Sequence, residues 1–363
     1  MADVVYLHVG APKTGTTYLQ DRLSVNRTRL ARHGVHYPVG QQEDMFGAAL
    51  DLIERPWGGL LDEVRGEWAA LARRVRRTRG TVVISHEILA AASRSQIERA
   101  MADLAPAEVH VVLTARDVAR QVPAEWQEHV KHRRRVSYAR FVRRLRTSDA
   151  RKGDKWFWEV QSLPEVLGRW SAGLAPERVH LVTVPQPGAA PDELWLRFCR
   201  VLGIDPAWAP RDSERRNPSI GTAEATLVRR LNRRLQEAEY DHADYRSLVR
   251  ELVVHQTLAD RPDMDRITLP PDAWDWADEI AESWLDWVTG AGIDVVGDLD
   301  ELRPRRPEEG EPWHDPDRPR PSDVADAALD ALVAVLTETA RRPDPDEQVS
   351  QKVARLARRV RLP

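Results

Sequence analysis

Short apolar runs separated by longer amphipathic stretches set the rhythm of the first 200 residues. Residues 4–9, 82–85, 109–114 and 179–184 are dominated by Val, Ile and Leu without strict apolar–polar alternation, which predicts strands buried on both faces of a parallel sheet. Between them, residues 16–32, 60–77 and 123–132 repeat apolar positions every three to four residues, the period of a helix lying on a core. This alternation predicts an α/β fold, a parallel sheet flanked by helices, with its ligand at the carboxyl ends of the strands.

From about residue 220 to 290 the pattern is helical only, as in 223–238 and 274–288, with Pro-bearing breaks. Residues 302–321 are Pro-rich and charged, the composition of an extended linker. Predicted helices 322–340 and 347–359 follow. The expected organisation is an α/β core over 1–220, a helical remainder over 221–301, the linker 302–321 and a helical extension over 322–363.

Composition narrows the function classes. Lys plus Arg (54) nearly balance Asp plus Glu (57), a net charge of −3, so the total implies no nucleic-acid partner. One cysteine, Cys199, allows neither an intrachain disulfide nor a multi-cysteine metal site; it falls in an amphipathic helix and is expected to be a small buried hydrophobe. A reducing cytoplasm suits this chain, no stretch reaches the roughly 20 apolar residues of a membrane span, and the start lacks the signature of a secretion signal. Trp156, Trp158, Trp170, Trp284 and Trp287, at helical spacings, are expected to pack in the core. Residues 131–152 carry ten Lys or Arg against Asp149 alone. They read either as solvated flanks of the stripe Tyr138, Phe141, Val142 and Leu145 or as a basic rim for an anion.

The strongest chemical signal is His8-Val9-Gly10-Ala11-Pro12-Lys13-Thr14-Gly15-Thr16-Thr17, between the first strand and the first helix. Strand, Gly-bearing turn and helix N-terminus together aim backbone N–H groups and the positive end of a helix dipole at one point, an anion site. Gly10 and Gly15 have the separation of a nucleotide-triphosphatase loop, but Thr16 stands where that motif places its Lys, and the loop lysine, Lys13, comes three residues earlier. The strand over 109–114 runs into Arg116 instead of an Asp that would hold Mg²⁺.

Pro12-Lys13-Thr14-Gly15-Thr16-Thr17 resembles the 5′-phosphosulfate loop of sulfotransferases that use 3′-phosphoadenosine 5′-phosphosulfate (PAPS). Leu113-Thr114-Ala115-Arg116-Asp117 is similar to the element of that family which binds the 3′-phosphate, where an Arg opens the loop and a Ser follows eight residues later. Trp156-Phe157-Trp158 with Gln161, Val182-Thr183-Val184-Pro185 and the run 293–299 look like actinobacterial members, so the resemblance spans about residues 1–303. It implies a phosphate-loop sulfotransferase fold, PAPS as co-substrate and no metal. It assigns the donor to Pro12, Lys13, Thr14, Gly15, Thr16, Thr17 and Arg116. The family's serine position holds Ala124 here, which has no hydroxyl; Arg120, Ser219 or Gly221 are the expected substitutes.

An acceptor hydroxyl needs a general base within hydrogen-bond reach. The strand ending at Ser85 delivers His86 and Glu87 to the edge from which the loop emerges. His86 resembles the catalytic histidine of cytosolic members of the family and Glu87 the carboxylate base of carbohydrate-directed ones; Glu87 is preferred. His33 and His36, in a short strand expected after the first helix, are weaker candidates, and the histidines show no metal-ligand spacing. The acceptor is left open among small molecules, lipids and carbohydrates. The competing readings are a nucleotide kinase or triphosphatase and a non-catalytic nucleotide binder.

Overall fold

Six parallel strands form a single sheet in the order β2-β3-β1-β4-β5-β6: β1 (Ala2–His8), β2 (Val35–His36), β3 (Gly80–Ser85), β4 (Glu108–Ala115), β5 (Val179–Thr183) and β6 (Asp294–Val296). This computed structural model describes residues 1–39, 45–147, 155–214 and 219–341. Val5 and Leu7 of β1, Val82 and Val83 of β3 and Val111 and Val112 of β4 have no exposed surface, as expected of strands covered on both faces. β1 pairs with β3 on one side and β4 on the other. The chain leaves β1 toward the β2 edge, returns through β3 and crosses to β4, so the crevice of this open sheet lies where β1, β3 and β4 end.

The helices that flank the sheet are α1 (Thr16–Arg32), α2 (Phe46–Ile53), α3 (Glu67–Arg77), α4 (Arg94–Leu104), α5 (Val118–Lys131), α6 (Tyr138–Arg146), α7 (Lys155–Gln161), α8 (Leu163–Trp170) and α9 (Glu193–Leu202). Two differ from the sequence pattern. The stretch expected as one helix over 60–77 is a 3₁₀ turn (Leu60–Asp62) and then α3, because Gly66 takes φ 88° at the helix start. α5 begins five residues earlier than expected and carries Pro123 inside it. In α6, Tyr138, Phe141, Val142 and Leu145 are buried while Arg140, Arg143 and Arg146 face solvent, so these arginines are the flanks of an amphipathic helix. Trp170 and Trp284 are core residues as expected, whereas Trp156, Trp158 and Trp287 remain half-exposed. Cys199 is buried, and its thiol is pushed up to about 12 by that burial.

The chain divides into two compact units. The first comprises Met1–His129, Val136–Asn217 and Ile267–Asp315 and holds the sheet; the second comprises Val130–Arg135, Pro218–Arg266 and Pro316–Pro363. Within the second, Asn232 on the helix Thr222–Glu237 donates to the Val130 carbonyl at 2.8 Å and accepts from the Tyr245 hydroxyl at 2.7 Å. Arg261 there pairs with Glu224 and Asp330. The helix expected over 322–340 spans Pro321–Ala340, and the one expected over 347–359 lies outside the described residues.

Candidate active site

The turn after β1 is shaped by two glycines. Gly10 has φ 30° and Gly15 φ 85°; a Cβ on Gly10 would lie 2.5 Å from the Thr16 methyl and one on Gly15 2.4 Å from Leu194. Both positions therefore demand glycine. Gly15 is also the N-cap of α1, which has neither a side-chain cap nor an acid in its first turn, so the start of the helix is left without a cap from its own sequence. Between the glycines Lys13 takes the left-handed conformation, φ 67°, uncommon for a residue with a Cβ.

A buried polar chain fixes this turn to its neighbouring strands. The Thr14 hydroxyl donates to the Ala11 carbonyl at 2.5 Å and meets the Thr114 hydroxyl at 2.6 Å. Thr114 contacts His8 Nε2 at 3.1 Å, and His8 Nδ1 contacts the Ser85 hydroxyl at 2.7 Å. Since Thr14 spends its proton on Ala11, Thr114 donates to Thr14, His8 donates from Nε2, and Ser85 donates to Nδ1. His8 is thus neutral, and burial lowers its pKa to about 4, with the neighbouring Glu87 and His86 acting in opposite directions. β1, β3, β4 and the turn are joined through this one imidazole.

Arg116 stands at the end of β4. Its Nε donates to Gln121 Oε1 and its Nη2 to the Arg120 carbonyl, both at 2.9 Å. Burial, reinforced by Arg120, lowers its pKa to about 10. Its hydrogen-bonded partners are neutral acceptors, while the nearby Asp117 and Glu125 carboxylates favour its charged form. Gln121 then links this arginine to the turn: its amide donates to the Pro12 carbonyl and, at 2.7 Å, to Gln161 Oε1, while the Gln161 amide donates to the same Pro12 carbonyl at 3.0 Å. Arg120 is spent elsewhere, pairing with Asp117 and donating to the carbonyls of Pro185 and Val184 at 2.8 and 3.2 Å; it clasps the segment after β5.

His86 and Glu87 follow β3 with their side chains close together, His86 Nδ1 lying 3.9 Å from the Glu87 carboxylate. His86 Nδ1 accepts the Ile88 N–H at 3.3 Å, capping the 3₁₀ turn Glu87–Ala91. Glu87 reaches the first turns of α1, where the Gln20 amide donates to it at 3.1 Å and the Thr16 hydroxyl also donates. Burial pushes its pKa up, but His86 and the converging hydrogen bonds outweigh this and hold it below the ordinary carboxylate value. It is therefore ionised at neutral pH, with its carboxylate accepting from Gln20 and Thr16.

Glu128, like Gln121 and Gln20, is a site residue that sequence reasoning did not single out. The Lys13 ammonium lies 2.7 Å from its carboxylate. Gln121, Ala124 and Glu128, spaced i, i+3 and i+7 on α5, form one helix face, which touches the turn at Pro12 through its first member and at Lys13 through its last. That spacing was visible in the sequence downstream of Arg116; the partner of each polar group was not.

The remaining expected residues fall as follows. Pro12 supplies the carbonyl held by Gln121 and Gln161. Thr16 is buried against Glu87, and Thr17 lies on the first turn of α1. Ser219 is exposed and belongs to the second unit. His33 stacks on Trp208 with ring centroids 4.3 Å apart, and His36 is in β2. Among the described residues no group of three or more His, Cys, Asp or Glu is arranged to hold a metal ion, and no helix is long and apolar enough to cross a membrane.

No protein-family profile matches the chain, and no curated protein does. Among solved structures, a sulfotransferase from Alicyclobacillus acidocaldarius aligns over 66% of this chain and 98% of its own, at 17% identity and a TM-score of 0.39. That likeness is too distant to weigh on the chemistry.

Proposed function

We propose that this protein is a sulfotransferase that takes its sulfuryl group from PAPS and passes it to a hydroxyl of an acceptor, releasing 3′-phosphoadenosine 5′-phosphate. The observation that carries the reading is the pair of basic residues at one sheet edge: Lys13 in the glycine-flanked turn, paired with Glu128, and the half-buried Arg116, joined through Gln121. Two separated cationic sites suit a nucleotide phosphorylated at both its 5′ and 3′ positions. In this reading the bond from sulfur to the bridging phosphate oxygen breaks while a bond from sulfur to the acceptor oxygen forms. Lys13 and the α1 N–H groups balance the charge growing on the leaving oxygen. Glu87 takes the acceptor's proton.

The test is thermal stabilisation. By linkage, 3′-phosphoadenosine 5′-phosphate raises the melting temperature once its concentration exceeds its dissociation constant, and ATP with Mg²⁺ raises it less. Equal or greater stabilisation by ATP with Mg²⁺ would transfer the site to the kinase reading. Binding without sulfation of any acceptor in a broad panel would leave a nucleotide-binding protein.

A further inference from the structure

The helix Pro321–Ala340 is apolar on two sides. One side faces the rest of the second unit: Val324 and Ala327 are buried, and the helix packs against Thr222–Glu237 and Tyr245–His255. The Thr226 hydroxyl donates to the Pro316 carbonyl at 2.9 Å and Arg229 pairs with Asp317, which pins the chain just before the helix starts. About a third of a turn round the axis lies a second stripe, Leu329, Leu332, Val333 and Leu336, whose exposures are 60%, 52%, 62% and 58%. Among the described residues the other exposed large apolar side chains are Met1 and Leu196, so the stripe is a concentrated patch and not the usual scatter of surface hydrophobics.

Charge and spacing say what covers it. The helix carries Asp323, Asp326, Asp330 and Glu338 and no Lys or Arg. A second copy of the same face would set acid against acid, and an anionic lipid surface would be repelled too. The complement stands in the same chain. Residues 342–363 lie outside the described residues; their sequence opens with Pro343 and Pro345, which bar continuation of a helix. It then repeats Val349, Val353, Leu356 and Val360, flanked by Lys352, Arg355, Arg358, Arg359 and Arg361 against Glu347. Read backward from Leu336, the stripe steps by four to Leu332 and by three to Leu329; read forward from Val349, the segment steps by four to Val353 and by three to Leu356. We propose that residues 347–360 cover the stripe as an antiparallel amphipathic helix, with Val349 against Leu336, Val353 against Leu332 and Leu356 against Leu329. The same register sets Arg359 level with Asp326, and Arg355 level with Asp330, which also pairs with Arg261. The five residues 342–346 are a connection of ordinary length for an antiparallel helix pair. This inference is independent of the sulfuryl-transfer reading.

The experiment uses the full chain with Leu332→Cys and Val353→Cys together, oxidised by glutathione disulfide and read by non-reducing electrophoresis and intact mass. The native Cys199 is buried and stays out of the reaction. The expected product is an intrachain disulfide in a monomer, formed about tenfold faster than in Leu332→Cys with Val360→Cys, whose second thiol would lie about 10 Å further along the helix, beyond disulfide reach. A second measurement needs no paired cysteines. Amide hydrogens of residues 349–360 should exchange about tenfold more slowly in the wild type than in Leu332→Asp. Equal rates for the two cysteine pairs, or exchange that Leu332→Asp leaves unchanged, overturns the docking. An interchain disulfide in a dimer would give the stripe to a second copy, and sedimentation of the wild type with phosphatidylserine vesicles without an intrachain bond would give the segment to a membrane; either result overturns the proposal.

Discussion

The Lys13 ammonium and the Glu128 carboxylate sit 2.7 Å apart, so the lysine at the centre of the glycine-flanked turn is neutralised by the protein's own α5. An entering anion must displace or share that partner. The pair is partly open to water, with side-chain exposures of 16% and 25%, which screens it and keeps its strength modest. Glu128→Gln, which keeps the shape and removes the charge, should tighten 3′-phosphoadenosine 5′-phosphate by about two- to tenfold. Isothermal titration at low and high salt measures this, and unchanged or weaker binding would show that Glu128 does not compete with the ligand.

The two cations have separable tasks. Lys13→Ala should lower turnover more than nucleotide affinity, since its contribution grows with charge on the leaving oxygen, while Arg116→Ala should chiefly weaken the 3′-phosphorylated nucleotide. Gln121→Ala removes the group between them and should cost about tenfold in that affinity, with a smaller further loss when Arg116 is already Ala. A double-mutant cycle by titration decides it; strict additivity would mean that Gln121 does not transmit between the two elements.

For the base, Glu87→Gln keeps a hydrogen-bonding side chain but abolishes proton acceptance. Turnover should fall by about 10² to 10⁴ with nucleotide affinity nearly unchanged. His86→Gln should cost much less, because its Nδ1 caps a turn. The reverse ranking in steady-state assays moves the role to His86.

His8 supplies a pH dependence whose sign is set by burial. Its pKa in the fold, about 4, lies below the ordinary value of 6.5, so the unfolded chain binds the extra proton first as pH falls. The associated stability is fully present above pH 6.5 and is lost as pH drops from there toward 4, by about 3 kcal/mol. Denaturant titrations of wild type and His8→Gln across this range should show the difference between them shrinking toward acid; a constant difference would mean that His8 is not held neutral.

What the sequence determined by itself is what short-range pattern encodes. Apolar runs without alternation specify buried parallel strands, and glycines five residues apart between a strand and a helix specify a tight turn into that helix, because φ > 0 and an uncapped helix start are local properties. Lys13, Arg116 and the pair His86 and Glu87 were legible because each follows a strand at its carboxyl end. Tertiary structure decided the partners. Lys13 and Glu128 are 115 residues apart in the chain, Gln121 and Pro12 109, and Gln20 and Glu87 67, and no local pattern states which side chains cross such distances. It also decided that Arg120 is consumed by Asp117 and two carbonyls, and that His86 turns back to cap while Glu87 reaches α1. These outcomes depend on strand order and helix packing, which bring distant segments to one sheet edge and let each polar group find the partner that burial requires.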